Sequence, residues 1–475
     1  MVTRGVRMEE DFSLQQILLT TRGRLINLRE DTCISISPRQ ISTDTRTLRR
    51  GDLFVALKGE RFNGHSFLKE ACDRGAPGAI VEKLFPLPSP HFFLVQVEDT
   101  LKALQELAKF HRERLSLPFV GITGSNGKTT VKELISHILS QKYQVGKSFG
   151  NFNNQIGVPL SLLKISSSHQ VGILEMGMSA RGEIATLSRI VQPSIGLITN
   201  IHSSHIGFLG TTEKIAQAKG EIIPILNRDE ENYLVLNEDD DWTENFKKRA
   251  KCRVVTFGLD KNSHFRAEDA SSKGEEISFT LRFSNKEHLY LRLPLHKFFS
   301  IYNLLAACCV SSLLGVSPSD IKGALCRFKS LPLHFQINNF GQYRLINDSY
   351  NANPESMQES LRLLKQISGE RKIAVLGDML ELGEKAQFFH YQIGKRAARL
   401  GMNAVFAYGE WAEELVRGAK EEGMKDAFFF TDKRLLVDKL LKYKRGGDCF
   451  LIKGSRGMRM EEIATRLKVN LCSST

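Results

Sequence analysis

The sequence predicts an α/β protein of three domains, with a small N-terminal α/β unit, a central parallel sheet of the phosphate-loop type and a C-terminal Rossmann-like layer. Three observations predict this. The chain has 475 residues, more than one core ordinarily serves, because cores stop growing at about 250 to 300 residues. Short apolar runs alternate with amphipathic helical stretches, the pattern of βαβ units. The pattern closes on a long amphipathic stretch before Pro118 and resets around residues 328 to 332, which divides the chain into segments 1–115, 116–330 and 331–475.

In the first segment "DLFVAL", "GAIVE" and "FFLVQV" read as strands, and "TLKALQELAKFHRERL" as the amphipathic helix that ends it. The middle segment alternates the runs "FVGIT", "VGILEMG", "IGLITNI" and "NYLVLN" with helix patterns such as "TVKELISHILSQK" and "TTEKIAQAKGEIIPIL". A β-rich stretch from "CRVVTFG" to "LYLRLPL" follows, then a helix around Asn303. In the last segment "YRLINDSY", "KIAVLGDM", "AVFAYG" and "DCFLIKGS" supply strands. The chain has no low-complexity linker and no internal repeat.

A hydrophobic content of 41% with 25% charged residues is that of a water-soluble globular protein. The formal charge of +13 suits any polyanion, but its lysines and arginines are spread out and form no basic run. Nucleic acid is therefore not an expected partner, and nucleotide phosphate is the better use of the excess. Eight cysteines without a Cys-x-x-Cys pair suggest reduced, mostly buried thiols. The N-terminus lacks an apolar signal core, and "LLAACCVSSLLGV" falls short of the roughly 18 to 20 residues that span a bilayer. The expectation is a cytoplasmic protein with no membrane insertion.

The stretch "GITGSNGKTTVKEL", Gly121 to Leu134, sits between an apolar run and a helix pattern. A phosphate cradle needs glycines that let backbone N–H groups turn inward, a lysine for the outer phosphates and a hydroxyl for Mg²⁺ at a helix N-terminus. Gly124, Ser125, Asn126, Gly127, Lys128, Thr129 and Thr130 supply these parts in order. The common spacing asks for glycine at position 122, which is Ile122. On residues alone, a tight strand-to-helix turn with an incidental lysine stays open.

The glycine spacing of "TGSNGKTT" resembles the ATP loop of the Mur ligases and their folylpolyglutamate synthetase relatives. Further blocks match in order: "STDTRTLRRGDLFVALKGERFNGHSF", "GNFNNQIGVPLSLL", "LEMGMSARGEI", "TNIHSSHIGFLGTTEKIAQAKGEI", "YNLLAA", "NDSYNANPESM", "LGDMLELGE" and "KGSRGMRME". "DSYNANP" and "GDMLELGE" are similar to the member that adds D-alanyl-D-alanine to UDP-N-acetylmuramoyl-tripeptide, a step of peptidoglycan precursor synthesis. The resemblance implies an ATP-dependent amide ligase working through an acyl phosphate with two Mg²⁺ ions, and a monomer is the expectation. The rivals are a sister ligase for a single amino acid, a folylpolyglutamate synthetase, which the substantial first segment disfavours, and a non-catalytic nucleotide-binding scaffold.

Residue by residue, the resemblance makes Lys128 the bridge between β- and γ-phosphates and Thr129 the first metal's hydroxyl. Glu175 becomes a ligand shared by both metals, and His205 a ligand of the second. Lys219 is implied to carry an N-carboxyl group that also binds the second metal, although by itself it reads as a solvent-facing helix lysine. Asn303 would contact adenine and Asp348 the ribose side, where the bland readings are a helix-interior amide and a turn former. Asp44, Arg46, Lys58, Gly59, Asn63, Gly64 and His65 would hold the uridine diphosphate end. Asn153 and Asn154 would face the substrate, as would Asn351 and Asn353, for which plain turn or capping roles stay open. Departures from the family are Phe299 and Ser300 ahead of the adenine asparagine, His334 in place of an arginine, Asn63 in place of an aspartate and the lack of an acid after His205. A neutral imidazole cannot replace a guanidinium fork, so nucleotide affinity is expected to differ from the family norm.

Overall fold

The computed structural model describes residues 11–27, 35–36, 40–59, 62–202, 206–273, 275–285, 287–294 and 300–472. Besides a two-stranded antiparallel pair, Phe12–Ser13 with Ser35–Ile36, three large sheets organise these residues along the chain, each with helices against it. The first has the strand order Arg24–Ile26, Phe93–Gln96, Gly78–Val81, Leu53–Val55, Ile41–Ser42, parallel except for the antiparallel edge at Arg24–Ile26. The helix Thr100–Glu113 starts where the Asp99 side chain accepts from the Lys102 N–H, and it buries Ala103, Leu104, Leu107 and Ala108. Its C-terminal turn fastens the first unit to the second. His111 Nε2 lies 2.6 Å from the Ile165 carbonyl, and Arg112 donates to the carbonyls of Val191 at 2.6 Å and Gln192 at 3.0 Å.

The second sheet runs His288–Pro294, Glu276–Arg282, Phe265–Lys273, Arg253–Gly258, Tyr233–Asn237, Ile195–Ile198, Phe119–Thr123, Val171–Glu175, Val145–Lys147. The β-rich stretch seen in the sequence thus extends the sheet as an antiparallel meander. Phe119–Thr123 pairs in parallel with Val171–Glu175 on one side and Ile195–Ile198 on the other. The chain leaves it toward opposite halves of the sheet, and such a switch point opens a crevice at the carboxyl ends of the strands. The weakly polar "LLAACC" run lies in the helix Ile301–Leu313, where Leu304 to Val310 are all buried. No helix among the described residues is long and apolar enough to cross a membrane.

The third sheet has the order Gln336–Phe340, Tyr343–Asp348, Asp448–Lys453, Arg371–Gly377, Ala404–Tyr408, Ala427–Phe430, parallel apart from its first strand. It meets the second sheet's unit at both ends. At one, Glu275 pairs with Arg344 and accepts from the N–H and hydroxyl of Ser368 at 3.1 and 2.8 Å. At the other, the Gly207 N–H donates to the Glu381 carbonyl at 3.1 Å. Among the described cysteines Cys252, Cys308, Cys309 and Cys449 are buried free thiols, as expected, while Cys326 is exposed.

Candidate active site

The strand Phe119–Thr123 runs straight into the loop 124–127, and the helix Lys128–Leu139 leaves it. Gly124 has φ 144° and Gly127 φ 82°, the region that side chains avoid. Contact reinforces the requirement, since a Cβ on Gly124 would lie 1.9 Å from Thr199 Oγ1 and one on Gly127 2.3 Å from Asn303 Oδ1. The loop is held open by hydrogen bonds from the neighbouring strand's end. Ser125 N–H donates to the Asn200 carbonyl and Asn126 N–H to Asn200 Oδ1, both at 2.9 Å, and Thr199 Oγ1 donates to the Asn126 carbonyl at 2.7 Å. With the Ser125 and Asn126 N–H groups so engaged, it is the first turn of the helix Lys128–Leu139 that presents a positive dipole end to an anion.

Two lysines converge on one carbonyl. Lys128 Nζ donates to Gly124 O at 2.8 Å, and Lys219 Nζ reaches the same oxygen at 2.9 Å. Lys219 is 1% exposed, so it lies beneath the loop and does not face solvent. Burial, and after it the neighbouring charge of Lys128, hold its amine well below the ordinary lysine value. Burial also lowers Lys128, against the pull of Glu175 and Glu381. Beside them the buried Glu175 accepts from Thr129 Oγ1 at 2.8 Å through one oxygen and from Asn153 Nδ2 at 2.8 Å through the other. A hydroxyl and a carboxylate oxygen thus meet at the loop, the hard donors that Mg²⁺ prefers. Among the described residues no group of three or more His, Cys, Asp or Glu is placed to hold a metal by itself. Mg²⁺ rarely needs such a cage, because waters and substrate phosphates complete its shell. His205 and Phe299 lie outside the described residues.

A cavity of about 670 Å³ opens between the second and third sheets' units. Its floor is Ser125 to Thr130 with Glu175, Asn153 and Asn154; its roof is His334, Asp348, Tyr350 to Asn353, Lys453 and Arg456. Asn353 joins roof to floor, since it caps the helix Pro354–Gln366 and also donates from Nδ2 to Asn126 Oδ1 at 2.6 Å. Capping and site roles therefore coexist there. The Asn351 carbonyl accepts from Lys453 at 3.0 Å. Asp348 is engaged within its own domain: it accepts from Phe335 N–H at 3.0 Å, Ser360 Oγ at 2.6 Å and Lys453 Nζ at 2.7 Å. His334 stacks on Tyr350 with ring centroids 4.2 Å apart, and burial pushes its imidazole below the ordinary value, so it brings no permanent cation. Ser300 caps the helix Ile301–Leu313 by accepting from Tyr302 N–H at 3.2 Å. Asn303 lies buried behind Gly127 and does not line the cavity.

The residues expected at the uridine diphosphate end form a separate group at the carboxyl ends of the first sheet's strands. Asp44 and Arg46 pair with each other at 2.6 Å on the surface. Lys58 bridges to Asn63, Gly59 N–H donates to Phe62 O at 2.8 Å, and Gly64 N–H to Leu57 O at 2.7 Å. His65 is buried, with Nδ1 2.7 Å from Asn63 Oδ1 and Nε2 accepting from Glu82 N–H at 3.0 Å, so both ring nitrogens are used internally. None of this group lines the large cavity.

Three family models match the chain, described as "Mur ligase family, catalytic domain" over residues 39–112, "Mur ligase middle domain" over 122–311 and "Mur ligase, glutamate ligase domain" over 335–456. The chain belongs to the Mur ligase family. It is 37% identical over 459 residues to the UDP-N-acetylmuramoyl-tripeptide--D-alanyl-D-alanine ligase of Bacillus subtilis, covering 96% of this chain and 98% of that one. Its fold is similar to a crystal structure of MurF from Acinetobacter baumannii, with a TM-score of 0.87 and 30% identity over 96% of this chain and 98% of that one. MurF ligase from Thermotoga maritima in complex with ADP superposes with a TM-score of 0.79 at 29% identity, over 92% of this chain and 99% of that one. The expectation of a three-domain α/β Mur ligase is borne out.

Some residues around this Mur ligase's cavity lie inside the matched blocks without a role assigned to them there. Thr199 and Asn200 follow the strand Ile195–Ile198 and hold the loop's backbone. Their position at a strand end next to the loop's own strand is the signal that could have found them. Lys453 is paired with Asp348, and Tyr350 stacks on His334 in the cavity roof. Outside the cavity lining, the fully buried Lys132 follows Lys128 by one turn on the same helix face.

Proposed function

We propose that this chain is an ATP-dependent ligase that joins D-alanyl-D-alanine to UDP-N-acetylmuramoyl-tripeptide, giving the UDP-linked pentapeptide, ADP and phosphate. The observation that carries the reading is the phosphate loop with Lys128, Thr129 and Glu175 facing a cavity roofed by the third domain, in a chain similar over nearly its whole length to ligases of that name. In this reading segment 1–115 holds the uridine diphosphate end, 116–330 binds ATP and 331–475 closes over it, the protein working as a monomer in the cytoplasm.

A carboxylate oxygen of the tripeptide attacks the γ-phosphorus, the bridge to the β-phosphate breaks, and ADP leaves an acyl phosphate. The amine of D-alanyl-D-alanine then attacks the acyl carbon, a proton is lost and phosphate departs with its bonding electrons. Roughly four negative charges crowd together, so fixed cations aimed at the phosphates carry much of the catalysis. Lys128 supplies one when it leaves Gly124 O for the β- and γ-phosphates, and the first turn of the helix Lys128–Leu139 adds its positive dipole end. Thr129 and Glu175 would hold a first Mg²⁺, and Glu175, His205 and an N-carboxylated Lys219 a second; bound there, the ions neutralise phosphate charge.

Purified protein is expected to release phosphate from ATP with UDP-N-acetylmuramoyl-tripeptide and D-alanyl-D-alanine. Single amino acids or folate as better partners would overturn the assignment. N-carboxylation needs a neutral amine, and burial favours that form of Lys219. Turnover should therefore fall several-fold in CO₂-depleted buffer and return with bicarbonate. Lys219→Ala should be slow in both buffers, and equal CO₂ response in wild type and variant would refute the carbamate.

A further inference from the structure

Lys132 lies in the helix Lys128–Leu139 with a side chain that is 0% exposed. Burying an ammonium is costly unless partners compensate it, and here they are specific. Its Nζ donates to the carbonyls of Ser148 and Gly150, each at 3.0 Å, and stands 3.3 Å from Glu133 Oε1 and 3.9 Å from Glu175 Oε2. Both carbonyls belong to the irregular segment between the strand Val145–Lys147 and the helix Gly157–Leu162. Apolar burial holds little of that segment, since Phe149 is 53% and Phe152 45% exposed. Polar bonds hold it instead. Ser148 Oγ accepts from the Glu175 N–H at 3.2 Å, and further along Asn153 donates to Glu175 Oε1 at 2.8 Å.

We propose that Lys132 is a positioning residue for the carboxylate substrate, seating the 148–154 segment so that Asn153 and Asn154 face UDP-N-acetylmuramoyl-tripeptide across the cavity. The inference rests on the ligase reading and adds to it a residue that touches neither ATP nor substrate. A small misplacement of such a segment is enough to cost about 10²-fold in substrate use. The two carbonyls need a donor long enough to reach both, so arginine restores the seat, glutamine restores part of it and methionine none.

The test compares Lys132→Met, Lys132→Gln and Lys132→Arg with wild type, measuring binding of the UDP-tripeptide and of ADP by calorimetry, and KM and kcat by phosphate release. Lys132→Met should weaken UDP-tripeptide binding and raise its KM by roughly 10- to 100-fold, with kcat and ADP binding within about threefold. Lys132→Arg should regain most of the loss. If methionine prevents folding, Lys132→Gln, which keeps an N–H donor, carries the same comparison. Unchanged UDP-tripeptide binding in folded Lys132→Gln or Lys132→Met overturns the inference and leaves the ligase reading intact. A lower active fraction with unchanged constants marks a merely structural lysine and also overturns it. Wild type that binds ADP but no UDP-tripeptide overturns both.

Discussion

Replacing Lys128 by alanine should lower kcat by about 10³-fold while leaving the folded protein as stable as before. Loss of one preorganised donor to a developing oxyanion costs on the order of 10²- to 10³-fold, and a lysine directed at the transferred phosphoryl group belongs at the upper end. Stability should not suffer, because Lys128 is half-buried at the cavity and its hydrogen bonds go to its own loop, to Gly124 O and, at 3.4 Å, to Ser125 O. Its removal also relieves the repulsion that helps to hold the Lys219 amine below its ordinary value. Single-turnover phosphate release beside a thermal melt checks both parts. A variant with near wild-type turnover would remove Lys128 from the phosphoryl-transfer step, whereas a nucleotide-binding scaffold would show no turnover in either protein.

Asp348→Ala should instead unfold the third domain more readily, by about 3 to 5 kcal/mol, the usual cost of stranding one member of a buried ion pair. Asp348 and Lys453 end adjacent parallel strands in register, with side chains 5% and 2% exposed and 2.7 Å between Nζ and Oδ2. Without the carboxylate, Lys453 keeps the Asn351 carbonyl, and the Ser360 hydroxyl and Phe335 N–H lose an acceptor. The change corresponds to a fall of roughly 10 to 16 °C in the melting transition of a domain this size. Asp348→Asn keeps an acceptor for Phe335 and should lose less. A melt unchanged in Asp348→Ala, with only the KM for ATP raised, would show that nucleotide contact is the whole of its role.

The residues gathered around the loop were legible because the motifs that carry them are local. A glycine before a helix, a lysine and a hydroxyl in consecutive positions, and an apolar run ending in Glu175 are all properties of short stretches, and strand ends in α/β sheets present ligands. Asp348 was read from its motif as lying near the nucleotide, but its ion pair was not legible, since Lys453 is 105 positions away. Ser300 stood out as a departure from the family, and the fold gives it a reason as the cap of its helix. The uridine-end group was read as a cluster from one block of sequence. The structure keeps it together yet apart from the large cavity, because the first sheet's strand ends, and not the phosphate loop, carry it.

By itself the sequence determined the alternation that makes three α/β layers, the phosphate loop and the family, because periodicity, glycine conformation and ordered motifs are written in neighbouring residues. Only the tertiary structure decided which lysines are buried and what they touch. Lys219 meets Gly124 across 95 positions, Asn353 meets Asn126 across 227, and Lys132 turns inward onto Ser148 and Gly150. A helix pattern gives the spacing of a lysine along a face, but the charge becomes buried only when another segment of chain arrives with carbonyls to receive it.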